Sequence, residues 1–160
     1  MKATLPPTRS LQGYASASFT NTAHELTEQD FHAGERIVTL EGTTPAKKAY
    51  TSVQRGREEH FELNSDFVFM NHSCDPNCIL NVENAEAMFF EARRDIVKGE
   101  ALGFFYPSTE YDMGQPFACG CKAKNCVGQI SGAKALSLEE LRKHGYINKH
   151  IVEMKDAEKA

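Results

Sequence analysis

No apolar run in this 160-residue chain approaches the roughly 18 residues that would span a bilayer, which excludes a transmembrane helix. The opening residues, Met1 to Arg9, lack the apolar stretch of a secretory signal and read as a loose tail. A cytosolic or nuclear location is therefore expected. Positive charge is also scarce, with 18 lysines and arginines against 22 acidic residues, a net charge of -4 and a pI near 5.9. A basic field for phosphate groups is missing, which disfavours direct binding to nucleic acid. Mild acidity suits either a basic protein segment as substrate or simple solubility, and it implies no particular oligomeric state. Internal repeats and low-complexity tracts are absent, which argues against a solenoid or a linker. Cysteine is limited to five, an odd number. All five lie between positions 74 and 126, a clustering that in a reducing compartment points to metal rather than disulfides.

What is present is enough to fold. Hydrophobic residues make up 41%, sufficient for a core. Gly34-Glu35 predicts a turn, followed by a strand through Ile37, Val38 and Leu40 that breaks at Glu41 to Pro45. Lys47 to Glu62 reads as a loop or weak strand, and Phe67 to Met70 as a short buried strand. Further strands are expected at Ile79–Val82, Glu86–Arg93, Asp95–Glu100 and Leu102–Tyr106, the last stopped by Pro107. Many short strands punctuated by glycine and proline predict a mainly β domain. Ser137, with Glu140 three residues on, forms a capping-box start for a helix from Leu138 to His144 that ends at Gly145. Residues after Met154 are charged and predicted to fray.

The late run Cys119-Gly-Cys121-Lys-Ala-Lys-Asn-Cys126 has the form C-x-C-x4-C. Zinc takes four thiolate or imidazole ligands at tetrahedral corners, so three ligands on one short loop leave one corner for Cys74 or Cys78. The plainer alternative is three free cysteines in a loop. Upstream, Asn71-His72-Ser73-Cys74-Asp75-Pro76-Asn77 is a polar turn following an apolar segment. It suits either a structural loop or the wall of a ligand pocket.

Four segments together resemble the SET-domain proteins. Phe69-Met-Asn-His-Ser-Cys-Asp-Pro-Asn77 is similar to that family's main signature. Lys98-Gly-Glu-Ala-Leu-Gly-Phe-Phe-Tyr106 resembles its second, where a Gly-Glu-Glu-Leu run leads to a tyrosine. The cysteine tail resembles the post-SET element, and Phe31 to Ile37 the early turn and strand. The resemblance implies a mainly β fold, the SET-domain β-clip with a pseudoknot, in which Asn71–Cys74 threads under the strand leading to Tyr106. A post-SET zinc loop and a short C-terminal helix complete it. The parts would be a tail at 1–20, the SET domain at 21–110, the zinc element at 115–132 and a helical segment at 137–154. The implied chemistry is methyl transfer from S-adenosylmethionine to a lysine amine of a protein. Asn71 and the His72 backbone would hold the cofactor, Phe117 would pack on its adenine, and Tyr106 would position the amine. Cys74 would join Cys119, Cys121 and Cys126 around zinc, leaving Cys78 as a buried thiol or a substitute ligand.

The sequence departs from the family in two places. Where a Gly-x-Gly element lies near the cofactor, this chain has Thr22-Ala23-His24. The acidic residue often preceding the tyrosine is replaced by Phe105. Ala23 then stands beside the cofactor, and His24 becomes either a general acid or base near neutral pH or an exposed loop histidine. Tyr111 and Asp112 are candidates for the pocket mouth. Two other functions follow from these departures. One is a SET-scaffold enzyme acting on a small apolar natural product, such as a cyclase or isomerase, without S-adenosylmethionine. The other is a non-catalytic peptide-binding module.

Overall fold

Alternating burial along Cys78–Asn81 and Phe89–Ala92 sets up the main sheet. Cys78, Leu80, Phe90 and Ala92 point inward and are buried, as the two-residue repeat of a pleated strand requires. The computed structural model describes Phe19–Thr20 and residues 26–159. Its strands are β1 (Phe19–Thr20), β2 (Leu26–Thr27), β3 (Arg36–Thr39), β4 (Thr44–Ala46), β5 (Val53–Gln54) and β6 (His60–Glu62). They continue with β7 (Asn71–His72), β8 (Cys78–Asn81), β9 (Phe89–Ala92), β10 (Gly103–Phe104), β11 (Phe117–Ala118) and β12 (Gln129–Ile130). Helices α1 (Leu138–Arg142) and α2 (Lys149–Ala157) follow.

These strands form small sheets. The order β3-β9-β8 is antiparallel throughout, with Leu80 opposite Phe90. A second sheet runs β4-β6-β5, and its edge position lets β4 carry Pro45 without losing a ladder bond. Between them lies one main core built on Phe31, Phe61, Phe67, Met70, Leu80, Phe90 and Phe104. Phe67 stacks on Phe90 at 5.3 Å between ring centres. Each such ring removed from water contributes about 2 kcal/mol.

The pairing that shapes the site is parallel. β10 runs beside β7, with Gly103 opposite Asn71 and Phe104 opposite His72, and Ser73 N–H donates to the Phe104 carbonyl. Parallel neighbours need a long crossover. Here the β8–β9 hairpin supplies it. Asn77 locks the entry to that hairpin: its Oδ1 accepts from Gly103 N–H at 2.9 Å, and its Nδ2 donates to the Ala101 carbonyl at 2.8 Å. Glycine at 103 eases this close pairing, because a Cβ there would crowd the Asn71 carbonyl oxygen at 3.2 Å.

Several expectations change on inspection. Phe67–Met70 is not a strand. Asp66–Phe69 forms a single 3₁₀ turn, which buries Phe67 and leaves Phe69 45% exposed. A strand would have put Phe67 and Phe69 on the same face; the turn separates them. Asp95–Glu100 gives only one bridge, Phe31 to Ile96, before its turn. The segment expected to break at 44–45 is instead β4. α1 has its capping box, with Glu140 N–H donating to Ser137 Oγ and Ser137 N–H to Glu140 Oε2. Of the residues expected to fray after Met154, Lys155 to Ala157 belong to α2, where Ile151 and Lys155 are buried and Lys155 pairs with Glu158 at 2.6 Å. A lysine held by its own helix and by the Lys134 carbonyl does not signal itself as buried in sequence.

Candidate functional site

Three short segments meet at Tyr106. β10 delivers the tyrosine, β7 delivers Asn71 and His72, and β11 delivers Phe117. The Tyr106 hydroxyl donates to the Met70 carbonyl at 2.7 Å, and its backbone N–H donates to His72 Nδ1 at 3.2 Å. Because Nδ1 accepts, the neutral His72 ring carries its proton on Nε2, which lies 3.2 Å from Cys74 Sγ. The His72 ring also lies 5.3 Å from Tyr106 and 5.9 Å from Phe117. Burial lowers the His72 pKa to about 4, aided by the charge of His144, so the ring is neutral at physiological pH. Burial likewise raises Tyr106 to about 12, so its phenol stays protonated.

Tyr106 and Phe117 form part of the wall of an open cavity of about 390 Å³. Phe67, Met70 and Phe104 line it from the core, Lys48 to Val53 from one side, and Met113 to Pro116 from the other. Tyr50 stands 81% exposed among the lining residues. Asn71 is exposed and His72 half-buried, and neither lines this cavity; they adjoin Tyr106 from outside it. Ala23 and His24 lie outside the described residues. Tyr111 and Asp112 are absent from the lining: the Tyr111 hydroxyl donates to Glu158 and Asp112 pairs with Lys134, so both belong to the scaffold of the C-terminal helices.

Four thiols converge behind this wall. The Sγ atoms of Cys74, Cys119, Cys121 and Cys126 all lie within 4.8 Å of one another, with Cys74 to Cys119 at 3.8 Å. Zinc–sulfur bonds of about 2.3 Å at tetrahedral angles require sulfurs about 3.8 Å apart, so the set could hold zinc. Burial raises the Cys74 thiol pKa. Burial also opposes ionisation of Cys121, but hydrogen bonds from the backbone and neighbouring thiols overcome it and bring that thiol to about 7. A dication would supply the counter-charge such a group needs. Backbone N–H groups of Val127, Cys121 and Gly128 donate to Cys74, Cys119 and Cys126 at 3.5, 3.5 and 3.4 Å. Cys78 is outside the cluster: it is fully buried, donates to Asn77 Oδ1, and is pushed up to about 12 by burial.

Sequence reasoning missed the residues that brace this arrangement. The Cys74 carbonyl accepts from His144 Nδ1 at 2.7 Å and Asn125 Nδ2 at 3.1 Å. The His144 ring stacks on Phe105 at 4.3 Å. Phe105, where an acidic residue was looked for, is therefore a stacking partner for the C-terminal segment. Glu110 also went unnoticed, although it lines the cavity four residues after Tyr106. No motif surrounds any of these residues; only their contacts reveal them.

Comparison with known proteins agrees with the geometry. The SET domain family model matches residues 19–107. The chain belongs to the SET-domain family, a class defined here by the parallel β7–β10 pairing that sets a tyrosine beside an Asn-His pair. Among individual relatives, Methyltransferase flvH of Aspergillus flavus is 39% identical over 76% of this chain and 68% of its own length. The Saccharomyces cerevisiae histone-lysine N-methyltransferase, H3 lysine-36 specific, is 39% identical over 40% of this chain and 9% of its own. Drosophila melanogaster histone-lysine N-methyltransferase ash1 is 34% identical over 44% of this chain, which spans 3% of that protein. The methyltransferase domain of human histone-lysine N-methyltransferase SETMAR superposes with a TM-score of 0.49 at 17% identity, covering 68% of this chain and 54% of that one. The relatives in sequence support a SET methyltransferase-like role. Among the described residues, no helix is long and apolar enough to cross a membrane.

Proposed function

We propose that this chain transfers a methyl group from S-adenosylmethionine to a lysine amine of a protein. The observation that carries the reading is the position of Tyr106, hydrogen-bonded to the Met70 carbonyl, beside Asn71–His72 and in the wall of a largely aromatic and aliphatic cavity. Histone-lysine methyltransferases among the relatives support lysine as the acceptor. Asn71 and the His72 backbone would hold the cofactor, with Phe117 packing on its adenine. The residues present fit this assignment. Asn71 is exposed and the His72 ring is within 5.9 Å of Phe117, so polar groups and an aromatic face adjoin on one open surface. When bound, the cofactor supplies an electrophilic methyl group.

The chain's own residues would do the rest. Tyr106 spends its proton on Met70, so its oxygen lone pairs are free to accept from the substrate amine. A protonated phenol also leaves no phenolate to capture the methyl group. The apolar walls at Phe67, Met70 and Phe104 exclude water and disfavour a charged amine, which must lose a proton before it can attack. Most of the rate gain would come from alignment. Cys74, Cys119, Cys121 and Cys126 would bind zinc in a structural role, holding Phe117 in place.

Calorimetric titration with S-adenosylmethionine tests the reading directly. Saturable binding is expected, together with mass-spectrometric methylation of a lysine peptide. Tyr106→Phe should still bind the cofactor and lose most turnover, while giving up only about 1 kcal/mol of stability with the Met70 hydrogen bond. Absence of binding up to millimolar cofactor would reject the reading.

A further inference from the structure

A carboxylate that forms no ion pair among the described residues stands in the wall of the Tyr106 cavity. Glu110 begins one turn after Tyr106, its N–H donating to the Tyr106 carbonyl at 3.0 Å. Its Oε1 accepts from Gln54 N–H at 2.7 Å and from the Thr109 hydroxyl at 3.4 Å. Its Oε2 makes no hydrogen bond among the described residues, yet it is not sealed from solvent. Gln54 is itself fixed, its side-chain oxygen accepting from Tyr111 N–H at 2.9 Å. Lys48 lines the same cavity but forms no ion pair with Glu110.

A half-buried carboxylate with no direct ion pair is costly, and a scaffold role does not explain it. The Gln54 amide needs one acceptor, and a neutral glutamine side chain would provide it. What a carboxylate adds is charge and a second acceptor, both facing a cavity whose other core-side walls are apolar.

We propose that Glu110 is the substrate-recognition carboxylate of this cavity, binding the acceptor as an alkylammonium and taking one proton from it at Oε2. In that step an N–H bond breaks and an O–H bond forms, and the nitrogen keeps its electron pair and becomes a neutral amine beside Tyr106. The proton leaves to solvent through the open mouth once the amine has departed. Burial raises the Glu110 pKa to about 7, opposed by the Lys48 charge and the Gln54 and Thr109 hydrogen bonds, so the group can both hold and release a proton near neutrality. Tyr106 at about 12 and His72 at about 4 cannot. The inference rests on reading the cavity as the amine's channel, and it narrows the substrate to a cationic primary or secondary alkylamine rather than a neutral apolar molecule.

The test is an NMR titration of the full chain with n-butylamine as its ammonium ion, without S-adenosylmethionine, and with 1-butanol as the neutral match. The amine should saturably shift the Gln54 amide, which reports on Glu110 directly, and should lower the apparent pKa of the Glu110 carboxyl carbon. Glu110→Gln keeps an acceptor for Gln54 and should weaken the ammonium on the order of tenfold or more, leaving 1-butanol unchanged. Equal ammonium affinity in parent and variant would overturn the proposal. So would a parent Glu110 resonance that the amine does not move, a measurement that needs no variant. Because no cofactor is present, failure here leaves the methyl-transfer reading standing. A protein that binds the amine through Glu110 but fails to bind S-adenosylmethionine would reverse that outcome.

Discussion

Glu110 costs the folded chain stability as soon as it ionises. Its carboxyl has an ordinary pKa of 4.5 when unfolded and about 7 in the cavity, raised chiefly by burial. A raised folded-state value means the contribution to stability is fully present below pH 4.5 and is lost as pH rises through 7. At about 1.36 kcal/mol per pKa unit, the loss is on the order of 3 kcal/mol. Glu110→Gln should therefore gain stability over the parent between about pH 5 and pH 8, measured by urea unfolding at each pH. A parent-minus-variant difference that stays flat across that range would contradict the assignment. At this scale the sequence was partly legible. Tyr106, Asn71, His72 and the late cysteines lie in ordered motifs, so spacing identified them. Glu110, Asn125 and His144 are single polar residues whose partners lie 56, 51 and 70 positions away, and no local pattern encodes such pairs.

Elements in the C-terminal half are too short to be stable alone. β11 and β12 are two residues each, and the loop between them holds three of the four converging thiols. With zinc on the four thiols, as proposed, their order would depend on the metal more than on buried apolar area. Stripping the ion with a chelator should raise hydrogen exchange in residues 115–132 first, while the β3-β9-β8 sheet stays protected, and zinc should restore the original pattern. A metal-free preparation with unchanged protection there would sink the zinc assignment, as would elemental analysis showing no zinc. The capping box before α1 was readable because both of its bonds are local. α2 was not, because its sequence carries four charged residues in nine, and what holds it is the burial of Ile151 against a distant core. The 3₁₀ turn at Asp66–Phe69 escaped for a similar reason: four apolar residues in a row fit a strand equally well, and packing of Phe67 on Phe90 decides between them.

At the scale of the whole molecule, the described residues form two apolar clusters, one under the sheets and one under the thiols. Tyr106 packs against both. Asn148 ties them by hydrogen bonds instead: its Oδ1 accepts from Val82 N–H at 2.9 Å, and its Nδ2 donates to the Leu80 and Ser108 carbonyls at 2.9 and 3.0 Å. Its side chain is spent on these bonds and does not cap α2. Asn148→Ala removes the side-chain partners of the Val82 N–H and the Leu80 carbonyl, while the Ser108 carbonyl keeps the residue-148 backbone N–H, and should cost about 2 kcal/mol, read as a lower urea midpoint with an earlier loss of helical signal. Unchanged stability would show that the two clusters do not depend on this bridge. The amino-acid order by itself pointed to the β-rich class, the family, the tyrosine, the Asn-His pair and the three late cysteines, because each sits in a motif whose spacing is local or repeated within the family; that Cys74 rather than Cys78 joins those three was left to the tertiary structure. Only the tertiary structure decided that β7 and β10 lie parallel, that the C-terminal helices brace Cys74, and that Glu110 shares a cavity with Tyr106. Those facts depend on which distant surfaces bury one another, and burial is a property of the packed chain rather than of any segment within it.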